Sequence, residues 1–186
     1  MQINATTIRT GMVLEVDNAL WRVMKTQHVT PGKGVACMQV EMRNIETGNK
    51  TNKRFNSTER VERAVLSQRT MQYLYEDAGS FHFMDMETYD QITLGEDMLE
   101  EARPYLLPEM QVEIEFHEER PLNVRLPQTV VLTVVECDAA IKGQTATGSY
   151  KPARLETGAS IMVPPYLEAG TAIKVNTESG EYIERA

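Results

Sequence analysis

"ALWRVMKTQHVTPGKGVACMQVEM", residues 19–42, decides the fold. After the Pro-Gly-Lys-Gly interruption, Ala36, Met38, Val40 and Met42 fall on one side and Cys37, Gln39 and Glu41 on the other. That period of two is what a half-buried strand requires. The run before it, residues 19–29, is also strand-like and is entered through Asp17-Asn18, a pair suited to a tight turn. Two strands with a short connection make a hairpin, and Lys33 sits at its tip between Gly32 and Gly34. Pro31-Gly32 suits the central positions of a type II turn, since proline fixes one dihedral and glycine accepts the positive one.

Outward from this hairpin the same pattern continues. "NIETGNK" (44–50) turns the chain into "KTNKRFN" (50–56), so residues 1–63 read as an SH3-like (KOW-like) barrel carrying the lysine tip. In residues 64–127, "MQYLYEDAGSFHFMDMETYDQI" reads as two strands around a turn at Glu76–Gly79, and "GEDMLEEARPYL" as one short helix ending before Pro104. "QVEIEFHEERPLNVRLP" resumes alternation with Val112, Ile114 and Phe116 inward, as a small OB-type barrel needs. In residues 128–186, "TVVLTVVEC" suits a strand covered on both faces, and Pro164-Pro165 must lie at an edge or a strand end. The rest of that segment is short strands punctuated by glycine and proline, with no helix. The fold class is therefore all-β, in three small barrels, and no fixed-period repeat is visible.

Composition narrows the function. With 41% hydrophobic and 25% charged residues, the 186-residue chain is expected to fold. The first residues lack a signal peptide's apolar core and no stretch is long enough to span a bilayer, so the expected location is cytoplasmic, with no membrane partner. Cys37 and Cys137 lie far apart and are expected to be two buried thiols, and the three histidines have no partner at metal-ligand spacing. The net charge of −8 hides an asymmetry. Residues 1–63 carry ten cationic and six acidic side chains, residues 64–127 four and fourteen, and residues 128–186 five and seven. One polyanion-facing end beside an acidic middle is the pattern.

Enzyme readings find little support. "PGKG" lacks the spaced glycine and the hydroxyl residue of a phosphate loop, and no GxSxG, HExxH or nucleotide fingerprint is present. No catalytic residue, metal site or cofactor is expected. A lysine between two glycines stays hydrated and charged, unlike a Schiff-base nucleophile. It is either a solvated hairpin tip or a cation that reaches, because bare backbone on both sides lets it approach a crowded anionic partner.

The residues resemble the bacterial elongation factor P family over essentially the whole chain. The opening "IRTGMVLEVDNALWRV", the tip "TPGKG", the middle "MQYLYEDAGSFHFMDMETYDQ" and the tail "YKPARLETGASIMVPPYLEAGTAIKVNTESGEYIERA" carry the likeness in order. Lys151, Ala153, Gly158, Val163-Pro164 and Gly170 fit the family signature of the tail. The resemblance implies three barrels in an elongated L that mimics transfer RNA, one SH3-like and two OB-type. It implies a monomeric factor, not an enzyme, that binds the ribosome between the peptidyl and exit sites. There it would steady peptidyl-tRNA and promote peptide bonds that stall at consecutive prolines. Lys33, with Pro31, Gly32 and Gly34, would reach the peptidyl-transferase centre.

The same resemblance implies a Lys33-modifying enzyme adding a β-lysyl or other aminoalkyl group, and it disfavours the arginine-rhamnose branch. Gly34 and a third barrel separate the chain from the hypusine-bearing archaeal and eukaryotic relatives. The family's third-barrel loop, usually Gly-Asp-Thr, approaches messenger RNA in the exit site. Here it reads Gly143-Gln144-Thr145, so an amide replaces the carboxylate. Tyr182 and Arg185 match family positions that engage tRNA or the ribosome. The alternative is a generic OB-type binder of single-stranded nucleic acid, which wants aromatics on a basic groove. Aromatics are only 6% of this chain and its second barrel is acidic.

Overall fold

The computed structural model describes residues 1–139 and 149–186. Among them the chain is all-β, in three curled sheets that form half-barrels. The first sheet contains β1 (Gln2–Asn4), β2 (Val13–Val16), β3 (Ala19–Val29), β4 (Cys37–Asn44), β5 (Lys50–Asn56) and β6 (Arg60–Arg63), in the order β1-β6-β2-β3-β4-β5. The second contains β7 (Leu66–Asp77), β8 (Ser80–Asp85), β9 (Gln91–Gly95), β10 (Gln111–His117) and β11 (Arg120–Arg125), in the order β11-β10-β7-β8-β9. The third contains β12 (Thr129–Cys137), β13 (Lys151–Leu155), β14 (Ser160–Val163), β15 (Ala172–Asn176) and β16 (Tyr182–Arg185), in the order β14-β13-β12-β15-β16. No helix among the described residues is long and apolar enough to cross a membrane.

The opening hairpin is β3–β4, with Val29 opposite Cys37 and Thr26 opposite Val40. Asp17 and Asn18, at φ of 53° and 59°, make the two-residue turn that joins β2 to β3. Both central residues of such a turn need positive φ, which Asp and Asn tolerate best after glycine. Met38, Val40 and Met42 are buried as the alternation requires, and Cys37 is buried as well. Cys137 is only half-buried, and both thiols are free.

Three further expectations need correction. Pro31-Gly32 is not a type II turn: the positive φ falls on Gly34, at 130°. Residues 96–107 form two 3₁₀ turns, Glu96–Met98 and Arg103–Tyr105, in place of a helix. Pro104 supplies no amide hydrogen, and burial of Leu99, Ala102 and Leu106 is met by successive turns. β12 is covered on one face only, since Val131 and Val135 are about half exposed while Val130, Leu132 and Val134 are buried.

The three sheets also share one local turn, at no fixed period. Residues 44–49 (NIETGN), 85–90 (DMETYD) and 176–181 (NTESGE) form the same turn, once in each sheet. In each, the first side-chain oxygen accepts from the amides two and three residues on: Asn44 from Glu46 and Thr47, Asp85 from Glu87 and Thr88, Asn176 from Glu178 and Ser179. The fifth residue takes positive φ, at 72° for Gly48, 62° for Tyr89 and 71° for Gly180. The spacing of the copies is irregular, which hides the repeat from a search for a period.

The described residues divide into two compact units. One is Met1–Ser67 with Phe116–Leu122, where Arg120 pairs with Glu46 and Leu122 packs against Val13, Leu20 and Ala64. The other is Gln68–Glu115 with Asn123–Ala186. In it Tyr105, Leu107 and Met110 pack against the core of the third sheet, and Thr157 Oγ1 donates to the Pro104 carbonyl at 2.5 Å. A methyl group at Gly180 would stand 2.8 Å from the Tyr105 hydroxyl, so the third copy of the turn closes directly on that ring.

Candidate functional site

The loop between β3 and β4 carries Lys33. Residues 30–35 make no main-chain hydrogen bond with the described residues, and the first anchor after the tip is the Ala36 carbonyl, which accepts from Ser57 N at 2.9 Å. Lys33 is exposed and has neither ion pair nor hydrogen bond among the described residues. The two flanking glycines differ. At Gly32 an added Cβ meets nothing within 4 Å, whereas Gly34 combines left-handed backbone with a would-be contact of 3.4 Å to Pro31 Cγ. Gly34 shapes the loop, and Gly32 leaves space that the free chain does not use.

At the foot of the hairpin a cleft of about 430 Å³ is lined by Thr6, Arg9, Thr26, His28 and Met38. No carboxylate lines it, in a chain with net charge −8. Arg9 Nη1 donates to the carbonyls of Thr6 and Ile8 at 2.9 and 2.8 Å, which fixes the guanidinium with its other N–H groups unspent among the described residues. Across β3, β4 and β5, Arg22, Arg43 and Lys50 stand in register. Arg43 Nε also donates to the Gly48 carbonyl at 3.2 Å. Sequence reading singled out none of these residues, because only strand register and the fold of residues 5–9 bring them to the hairpin.

At the other end of the chain, β16 is the terminal strand of its sheet and carries Tyr182 and Arg185. The structure adds Tyr166, whose hydroxyl lies 3.5 Å from that of Tyr182 and whose ring lies 5.1 Å under the Arg185 guanidinium. Burial, and then the Tyr166 hydrogen bond, push the Tyr182 phenol up to about 12. A groove of about 550 Å³ runs past Tyr150, Met162 and Tyr182. Gly143, Gln144 and Thr145 lie outside the described residues. Buried Lys151 donates to the carbonyls of Asp138 and Leu167 at 2.5 and 2.6 Å, a structural use of the signature lysine. Among the described residues no three His, Cys, Asp or Glu side chains gather as metal ligands.

Comparison with known proteins assigns every sheet. The family model described as the elongation factor P KOW-like domain matches residues 4–61, the elongation factor P OB domain matches 66–124, and the elongation factor P C-terminal domain matches 130–185. The chain is 54% identical to elongation factor P of Acidithiobacillus ferrooxidans over 186 residues, covering 100% of both chains. It is 51% identical to that of Roseobacter denitrificans over 185 residues, covering 100% of this chain and 99% of the relative. Among solved structures, eukaryotic translation initiation factor 5A from Methanococcus jannaschii superposes with a TM-score of 0.60 at 22% identity, over 68% of this chain and 94% of that one, a likeness of fold.

Proposed function

The chain belongs to the elongation factor P family, and from that premise we propose that it binds the ribosome between the peptidyl and exit sites and relieves stalls at consecutive prolines. Lys33 then reaches toward the peptidyl-transferase centre beside the acceptor end of peptidyl-tRNA. The observation that supports this reading is a cation unpartnered among the described residues, on a bare hairpin tip whose strands line a carboxylate-free cleft. Ribosomal RNA and the acceptor stem are polyanions, and a cationic end gains there what it lacks in the free chain.

Proline's ring restricts its backbone and makes it a poorly placed reactant. A factor that holds peptidyl-tRNA in a productive geometry accelerates transfer by positioning alone, making no bond itself. The protein is accordingly not an enzyme, acts as a cytoplasmic monomer, and has ribosome, peptidyl-tRNA and messenger RNA as partners. Gly143, Gln144 and Thr145 face the messenger, and Tyr182 and Arg185 face tRNA or the ribosome. A dedicated enzyme extends Lys33, whose exposure leaves its amine open to such a reaction.

The test is Lys33→Ala in a reconstituted translation system with a polyproline reporter. An exposed side chain without partners holds little stability, so the unfolding midpoint should stay unchanged while the stimulation disappears. Equal reporter rates for variant and parent would end the assignment of Lys33. Intact mass of the protein from its own cells reads the extension separately: a mass equal to that of the bare sequence excludes it.

A further inference from the structure

At the foot of the β3–β4 hairpin the inward face of the sheet changes character. Thr26 stands opposite Val40 and His28 opposite Met38, and residues directly opposite share a face. Val40 and Met38 are buried in the core, yet their partners on β3 are a hydroxyl and an imidazole. Neither side chain makes a hydrogen bond among the described residues. Thr6, from the 3₁₀ turn Ala5–Thr7, and Arg9 line the same cleft, and the Thr6 hydroxyl is also unpaired among the described residues. Polar groups at inward positions, around a cleft and without partners, are a site prepared for something outside the chain.

We propose that this cleft holds one phosphate group of an RNA backbone. Both Nη1 hydrogens of Arg9 go to the carbonyls of Thr6 and Ile8, at 2.9 and 2.8 Å. Nε and Nη2 are left side by side, the fork that takes two phosphate oxygens through parallel bonds. The hydroxyls of Thr6 and Thr26 and a ring N–H of His28 add neutral donors around the same space. No carboxylate lines the cleft to fill the fork from within, and buried Met38 gives it an apolar floor. The inference rests on the ribosomal reading for the source of the phosphate, transfer or ribosomal RNA, and on the geometry alone for its chemistry. Five residues of chain separate His28 from Lys33, so the held phosphate lies within about 18 Å of the tip backbone. A clamp at the root of the hairpin fixes where Lys33 can reach.

The experiment uses the full chain with His28→Glu and Thr6→Asp. Each brings a carboxylate to the Arg9 fork from a different element, and both positions are exposed, so the urea midpoints should match the parent. Inorganic phosphate titrated into the parent should shift the amide resonances of Thr6, Arg9, Thr26 and His28 before any others. Either variant should need roughly fivefold more phosphate for the same shift. With 70S ribosomes both variants should bind about fivefold more weakly, and the slope of log affinity against log salt should fall by about one, as loss of one phosphate contact requires. A deficit seen only with peptidyl-tRNA in place assigns the phosphate to transfer RNA, and one that persists without it assigns the phosphate to ribosomal RNA; both support the clamp. Phosphate shifts centred on Lys33, or variants with the parent's affinity and slope, would overturn it. Lowered midpoints in both variants would make the cleft structural and overturn it too. A parent chain that does not bind ribosomes would end the ribosomal reading, and the phosphate titration would still decide the cleft.

Discussion

Gly32 and Gly34 look equivalent in the sequence and are not. Gly34→Ala places a Cβ in left-handed backbone against Pro31, which should cost the first unit about 1 kcal/mol in equilibrium unfolding. Gly32→Ala meets open space and should cost nothing measurable in the free chain, yet it should slow rescue if a crowded partner needs that space. A Gly32→Ala chain as active as the parent would show that the tip has room to spare. Tyr182 sets a second expectation. Its folded pKa, up to about 12, lies above the ordinary phenol value of about 10. The fold therefore holds the protonated phenol, and that contribution is whole below about pH 10 and lost as pH rises toward about 12. Tyr182→Phe should flatten the alkaline fall of the unfolding midpoint across that window; parallel curves for parent and variant would refute burial as the cause.

At the level of elements, hairpins were legible because their information is local. Alternation gave β4 and β10, strand-like composition gave β3, and turn residues gave the Asp17-Asn18 connection and a turn within Glu76–Gly79 that the structure narrows to Ala78-Gly79. What depends on distant chain was not legible. The apolar spacing of Leu99, Ala102 and Leu106 fits a helix as well as it fits chained 3₁₀ turns, and only Pro104 with its packing separates the two. A continuous apolar strand does not say which face a neighbour covers, as half-exposed Val131 shows. Lys33 was readable from its loop, whereas Arg9, His28 and Tyr166 join their sites through register and long-range packing. The contact of the β15–β16 turn with Tyr105 is of the same kind, and it can be tested. Gly180→Ala and Gly158→Ala both put alanine at positive φ, 71° and 87°, but only the first meets an atom closer than 3 Å. Gly180→Ala should destabilise the second unit more, and Tyr105→Phe in the same chain should recover the difference. Equal losses for the two alanines would mean that φ alone matters and the ring does not.

For the whole molecule, division into two compact units predicts that unfolding is not a single two-state event. Trp21 is the one tryptophan and belongs to the first unit. Its fluorescence should report that unit, while circular dichroism reports both, so the two urea transitions should not coincide. Superimposable curves would show that the units unfold together. On the function proposed above, the bare tip also bears on how long the chain would stay bound. Ordering a residue costs about 1–2 kcal/mol, and residues 30–35 bring no main-chain hydrogen bonds of their own to that bound state. Each residue ordered on binding would lower affinity by about that amount, and a weaker complex is mainly one that dissociates sooner. On the function proposed above, a loop left unfinished by its own chain would act as a timer, letting one molecule serve a halted synthesis, leave promptly, and be free for the next.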